Sequence, residues 1–139
     1  MHFLSYTAYF HDGSLIDIKH AGDCIALILE SSEIDPSALQ EEIILSKKNT
    51  MKGELCIRNV KKIFINDDPI HDPLKMKYPD AEILNLEVCD TKVSLLVEWK
   101  NSPPKGQPND VSHIEIEAEE IYWRMRKKLR VQVNRVLNY

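Results

Sequence analysis

Apolar and polar residues alternate with period two along most of this chain, the beat of strands that cover one face and wet the other. The clearest instance is Ile83 to Val88 and Val93 to Trp99, joined at Asp90-Thr91. Val93, Leu95, Val97 and Trp99 fall on one side and Ser94, Leu96, Glu98 and Lys100 on the other, which predicts an antiparallel hairpin. Near the N-terminus, Tyr9-Phe10-His11-Asp12-Gly13 sets an aromatic pair before a turn in which Gly13 supplies a positive φ and Asp12 bonds the backbone. The strand that follows puts Ser14, Ile16, Ile18 and His20 on one face and Leu15, Asp17 and Lys19 on the other. Ala21-Gly22-Asp23 closes this hairpin, and Ile25, Leu27 and Leu29 return.

The rest of the chain carries the same beat with interruptions. Residues before Tyr9 have β propensity without alternation, predicting a short edge strand or a loose arm. Ser31 to Gln40 reads as a connection, with one helical turn after Pro36; Glu42 to Leu45 reads as a strand and Lys47 to Gly53 as an exposed hairpin tip. Leu55, Ile57, Ile63 and Ile65 keep one phase across a polar interruption, predicting a bulge or bend between two strands. Asn66 to Asp80, with Pro69, Pro73 and Pro79, and Asn101 to Asp110, with Pro103-Pro104, predict loops. Ile114, Ile116 and Ala118 alternate with Glu115, Glu117 and Glu119 as a core face opposite an exposed acidic one. Ile121, Trp123 and Met125 resume out of phase, so a bulge near Glu119-Glu120 is expected.

After about Arg124 two patterns compete. Tyr122, Met125, Leu129, Val133 and Val136 form a helical stripe, while Val131-Gln132-Val133 is β-like, so residues 124–139 read as a basic C-terminal tail or short helix. The predicted fold is mainly β: a single domain over 1–139, its antiparallel sheet folded into a sandwich or a partly open barrel.

Composition narrows the function classes. At 139 residues with 43% hydrophobic and 29% charged content, the chain can bury one core without metals or disulfides. No apolar run approaches the roughly 18 residues of a membrane span, and Met1-His2-Phe3-Leu4 lacks the features of a secretory signal. Cys24, Cys56 and Cys89 are odd in number, far apart and without a CxxC, so they read as small buried hydrophobes in a reducing compartment, and the expected location is cytoplasmic. The net charge of −4 hides an asymmetry: Arg124 to Arg135 holds six basic residues and no acid, leaving 12 basic against 22 acidic residues, or −10, over the rest.

Several stretches together carry a resemblance. The aromatic-His-Asp-Gly turn, Gly53-Glu54-Leu55 opening a strand, an acidic residue before Ile83-Leu84-Asn85-Leu86-Glu87, Val93 to Trp99 ending in Trp, and Ile114 to Ala118 leading into Tyr122-Trp123 span about residues 9 to 123. This pattern resembles a set of small bacterial domains, some described as immunity-protein-like. The resemblance implies a β-rich fold and a binding role, with no catalytic residues to carry over and no cofactor.

Candidate chemistry is sparse. His11-Asp12 and His71-Asp72, with Asp67 and Asp68 beside the second pair, offer imidazole and carboxylate ligands for a metal-assisted hydrolase. Metal-dependent hydrolases built on a His-Asp dipeptide carry it on helices, whereas both pairs here lie at turns. In the blander reading Asp12 caps its turn and His11 packs beside Phe10. No GxSxG elbow, GxGxxG or GxxxxGK loop is present. Tyr122, Trp123, Arg124, Arg126 and the basic run beyond could hold nucleic acid, against which stands the acidic pI near 5.7. The leading expectation is a non-enzymatic intracellular protein-binding domain, with a homodimer as one form. Its contacts would be His11 and Asp12, the acidic Glu115/Glu117 face, and Trp99, Tyr122 or Trp123 as anchors, with the charges of Arg124, Arg126 and the basic run mainly accelerating encounter.

Overall fold

The computed structural model describes residues 3–39, 43–100, 110–125 and 130–132. Its strands are β1 (Ser14–Ala21), β2 (Cys24–Glu30), β3 (Lys52–Ile65), β4 (Asp68–Pro69), β5 (Ala81–Cys89), β6 (Lys92–Trp99), β7 (Asp110–Met125) and β8 (Arg130–Gln132). They form one antiparallel sheet in the order β4-β3-β2-β1-β5-β6-β7-β8, and an added β3–β7 pairing bends it into a ring. The mainly β expectation therefore holds. The ring is closed thinly on its far side, where β1 meets β5 through Ser14↔Glu82 and Leu15↔Ala81. Two further bonds sit at this seam: Asp12 N donates to Ile83 O and Ile83 N to Gly13 O, both at 2.8 Å. In the turn leading into β1 the positive φ, +67°, falls on Asp12 and not on Gly13. Aspartate tolerates that region, and the glycine is required for a different reason, close backbone approach.

Bulges let strands of fixed pleat turn the corners of such a ring. One lies between Leu15 and Asp17, a second between Ile83 and Asn85 and a third between Val60 and Lys62. The first two flank the seam and reverse the parity of their strands: Leu15 and Ile18 are both buried, as are Ile83 and Leu86. Simple alternation over Ser14 to His20 is corrected accordingly. The third bulge answers the phase change on β7. The register shift sits on the partner strand rather than at Glu119-Glu120, with Val60 facing Ala118 and Lys62 facing Glu117. β3 is thus one bent strand in place of the two expected.

Inside the ring, Leu15, Leu27, Leu29, Leu55, Ile57, Val93, Leu95, Ile116 and Trp123 are fully buried. The hairpin predicted from Ile83 to Trp99 forms as expected, with Cys89↔Lys92 leaving Asp90-Thr91 as its turn. The N-terminal expectation is overturned. Phe3–Phe10 is a 3₁₀ helix whose Phe3, Tyr6 and Phe10 are buried: Phe3 and Tyr6, three apart, eclipse on one face, and Phe10 at the last position packs beside Phe3 at 5.5 Å, with Trp123 stacked on Phe3. Ile43 to Leu45 is not a strand. Pro36–Ala38 makes the short helical turn, its start capped by the Asp35 side chain. Asn66 to Asp80 is more ordered than a loop: Asn66 and Asp67, both at positive φ, make the two-residue turn into β4, and Leu74 is buried.

At the C-terminal end, β8 returns along β7, Tyr122↔Gln132 and Trp123↔Val131. Arg124 and Met125 end β7 and residues 130–132 are strand, not helix; residues 126–129, Arg126 included, and 133–139 lie outside the described residues. Cys56 is buried as expected, but Cys24 and Cys89 are exposed, and none of the three is in a disulfide. Both exposed cysteines sit at hairpin ends in phase with outward residues, Cys24 with Ala26 and Cys89 with Glu87. No helix among the described residues is long and apolar enough to cross a membrane.

Candidate functional site

The aromatic anchors expected at a contact surface are structural. Trp123 is fully buried, stacked on Phe3 at 4.5 Å and edge-on to Phe10 at 5.4 Å. Trp99 is buried, its indole N–H donating to Ser112 Oγ at 2.8 Å, and Tyr122 is buried beneath the Arg124 guanidinium. The acidic stripe is also less free than alternation implies. Glu115 and Glu117 are half-buried, and the Lys92 ammonium lies 2.9 Å from Glu115 Oε2. Arg124 holds Glu54 at 3.6 Å and Arg58 holds Glu120 at 3.5 Å, so the outer face of β3, β6 and β7 is laced by cross-strand ion pairs.

His11 and Asp12 pair with each other, Nδ1 to Oδ2 at 3.3 Å, both well exposed beside the seam. His71 and Asp72 are exposed after β4. Among the described residues, the ligand-type side chains that converge are others: Asp67, His113 and Glu115, whose ligand atoms lie within 4.8 Å of one another. No spacing in the chain signals this grouping, because Asp67 is 46 positions or more from its neighbours and reaches them only through the turn's docking. Asn66 clamps the His113 backbone twice, N to His113 O and Oδ1 from His113 N, each at 2.8 Å. Ser94 Oγ sits 2.7 Å from His113 Nε2 and leaves Nδ1 facing Glu115 at 3.8 Å. A divalent ion held here would compete with Lys92 for Glu115.

That competition has a pH signature. The hydrogen bond from Lys92 holds the Glu115 carboxyl below its ordinary value of 4.5, with the charges of Lys92 and His113 adding to it. The same bond raises Lys92 above its ordinary 10.5. A lowered carboxylate contributes stability that is present above 4.5 and lost as pH falls through the folded value. A raised lysine contributes below 10.5 and loses it as pH rises through its own. Urea unfolding of Glu115→Gln against the parent chain is therefore expected to show a constant stability gap between these limits that closes in acid. A gap unchanged at low pH would show that the pair is not its source.

One concavity stands at the opposite flank of the β3–β4 turn. It is an open cleft of about 450 Å³ between the β1–β2 hairpin, the bulged middle of β3 and the residues around β4. Its apolar lining comes from Val60, Ile63, Phe64, Pro69 and Ile70. Backbone bonds fix its walls: Val60 N donates to Asp23 O and Ile70 N to Ile63 O, each at 2.9 Å. His20, at its edge, is committed to structure, accepting from Leu74 N at 2.8 Å on Nδ1 and donating from Nε2 to Gly22 O at 3.1 Å. Lys61, Lys62 and His71 also line it. Adjacent residues of a regular strand point to opposite faces; the bulge leaves Lys61 without a cross-strand partner, so both lysines border one cleft.

No protein-family model, curated protein or solved structure matches this chain.

Proposed function

We propose that this chain is a non-catalytic binding domain that docks a partner protein at the cleft between the β1–β2 hairpin and β4. The observation that carries the reading is the cleft itself, a preformed hollow of about 450 Å³ with an apolar lining and Lys61 and Lys62 at its border. Its walls belong to hydrogen-bonded strands, so little ordering cost falls on docking. Three cysteines outside any disulfide agree with a reducing compartment, where such a partner would be met.

Pro69 is exposed, lines the cleft and lacks an N–H, so replacing it removes no ladder donor. Capture from the native cells with the parent chain, Pro69→Trp and the remote exposed Glu33→Gln tests the reading. One stoichiometric partner is expected with the parent and Glu33→Gln and is lost with Pro69→Trp at unchanged Tm. Equal recovery with all three would overturn it.

A further inference from the structure

The cleft's charge identifies what it accepts. Resting on the docking reading above, we infer that the partner segment seated there carries carboxylates next to an apolar side chain: an acidic peptide segment whose aspartate or glutamate groups meet Lys61 and Lys62.

Arg58, Lys77, Lys92, Lys100 and Arg124 each hold a carboxylate within 3.6 Å, and Lys19, Lys47, Lys48, Lys52 and Lys75 hold none among the described residues; what distinguishes Lys61 and Lys62 is that they line this cleft together. Lys61 and Lys62, both exposed, have no carboxylate within 4.0 Å among the described residues, although Asp23 and, across the ladder, Glu117 are near in the fold. Two ammonium groups on consecutive residues repel, and the bulge holds them at one border instead of separating them onto two faces. His71 adds an imidazole to the same border. Against Asp23, the carboxylate in the same lining, the two lysines leave an excess of one formal positive charge on a chain of net charge −4, and such a local excess favours an anionic group. Val60, Ile63, Phe64 and Ile70 are apolar, half-buried or buried, and give a neighbouring aliphatic side chain a place to leave water. A bare inorganic anion would use the lysines and leave that lining uncovered.

The test uses the full-length, isotope-labelled chain and follows the amide signals of residues 60–64 and 70–71. Probes are a blocked Glu-Leu-Glu peptide, its Gln-Leu-Gln counterpart and potassium phosphate. The Glu peptide is expected to give saturable shifts at these positions and to weaken about tenfold between about 50 and about 500 mM salt. It should lose its effect in Lys61→Gln/Lys62→Gln, a surface change whose Tm matches the parent. Equal shifts from the Gln peptide, or shifts from phosphate at lower concentration than from the peptide, would overturn the assignment. Partner capture separates the two levels. If Pro69→Trp abolishes capture while the double lysine variant keeps it, docking stands and the carboxylate assignment falls. If neither variant changes capture, the docking reading itself has failed.

Discussion

Gly13→Ala is expected to be among the most destabilising single-methyl additions in this chain, costing on the order of 3 kcal/mol, at the top of the overpacking range. An added Cβ would land on the Glu30 carbonyl oxygen, 3.0 Å from Phe10 O and 3.1 Å from the carbonyl carbon of Ser31. All three are backbone atoms, so no side chain can swing aside. Gly13 also accepts from Ile83 N at the seam, where only two residue pairs join β1 to β5. Moving its backbone opens the ring. Gly22 provides the comparison: it has φ +61, and a methyl added there would meet nothing within 4 Å, so Gly22→Ala meets only the left-handed strain of about 1–2 kcal/mol. Thermal melts would separate the two, at roughly 3–5 °C per kcal/mol for a chain this size. A Gly13→Ala protein that melts with or above Gly22→Ala would show that the seam yields and does not hold the ring.

Trp123→Ala is expected to cost about 3–5 kcal/mol, whereas Trp123→Phe should cost no more than about 1.5 kcal/mol. Trp123 is fully buried, and its ring bridges the N-terminal 3₁₀ helix to β7 through Phe3 and Phe10. Alanine removes both ring contacts and leaves the helix without its seat. Phenylalanine keeps a stacking face, and it also removes Nε1, a buried donor with no hydrogen-bond partner among the described residues, whose desolvation carries a penalty of about 1–3 kcal/mol. That relief offsets much of the lost volume. Urea unfolding followed by the fluorescence of Trp99 measures both variants. Equal losses would mean that the stack contributes nothing specific.

Cleft and cluster differ in how much of each the residues announce. Lys61-Lys62 stands out as a polar break between Ile57 and Ile63, for which a bulge is the expected reason; that both lysines border one hollow follows from the bulge's parity. The Asp67, His113 and Glu115 grouping is invisible in the chain, since it depends on Asn66 docking the β3–β4 turn against His113. His11-Asp12 and His71-Asp72 draw notice as dipeptides, yet a repeated dipeptide carries no information about distance. Trp99 and Trp123 read as surface anchors because large aromatics mark interfaces, and the same property makes them core-forming when an interior is within reach.

By itself the sequence determined the strands: period-two alternation sorts a residue to the dry or the wet face before any partner is chosen, which is why β6 and the β5–β6 turn came out as expected. It also determined the turns at Gly22-Asp23 and Asp90-Thr91, where Gly22 and Asp90 tolerate the positive φ that other residues resist, whereas the Asn66-Asp67 turn was expected as loop. Only the tertiary structure decided the closure of the sheet into a ring, the places where bulges reverse a strand's parity, and the helical state of Phe3–Phe10. Those depend on pairings between residues far apart in the chain. A local pattern fixes which face of a strand is apolar; it does not fix which distant strand, or which aromatic ring, will cover it.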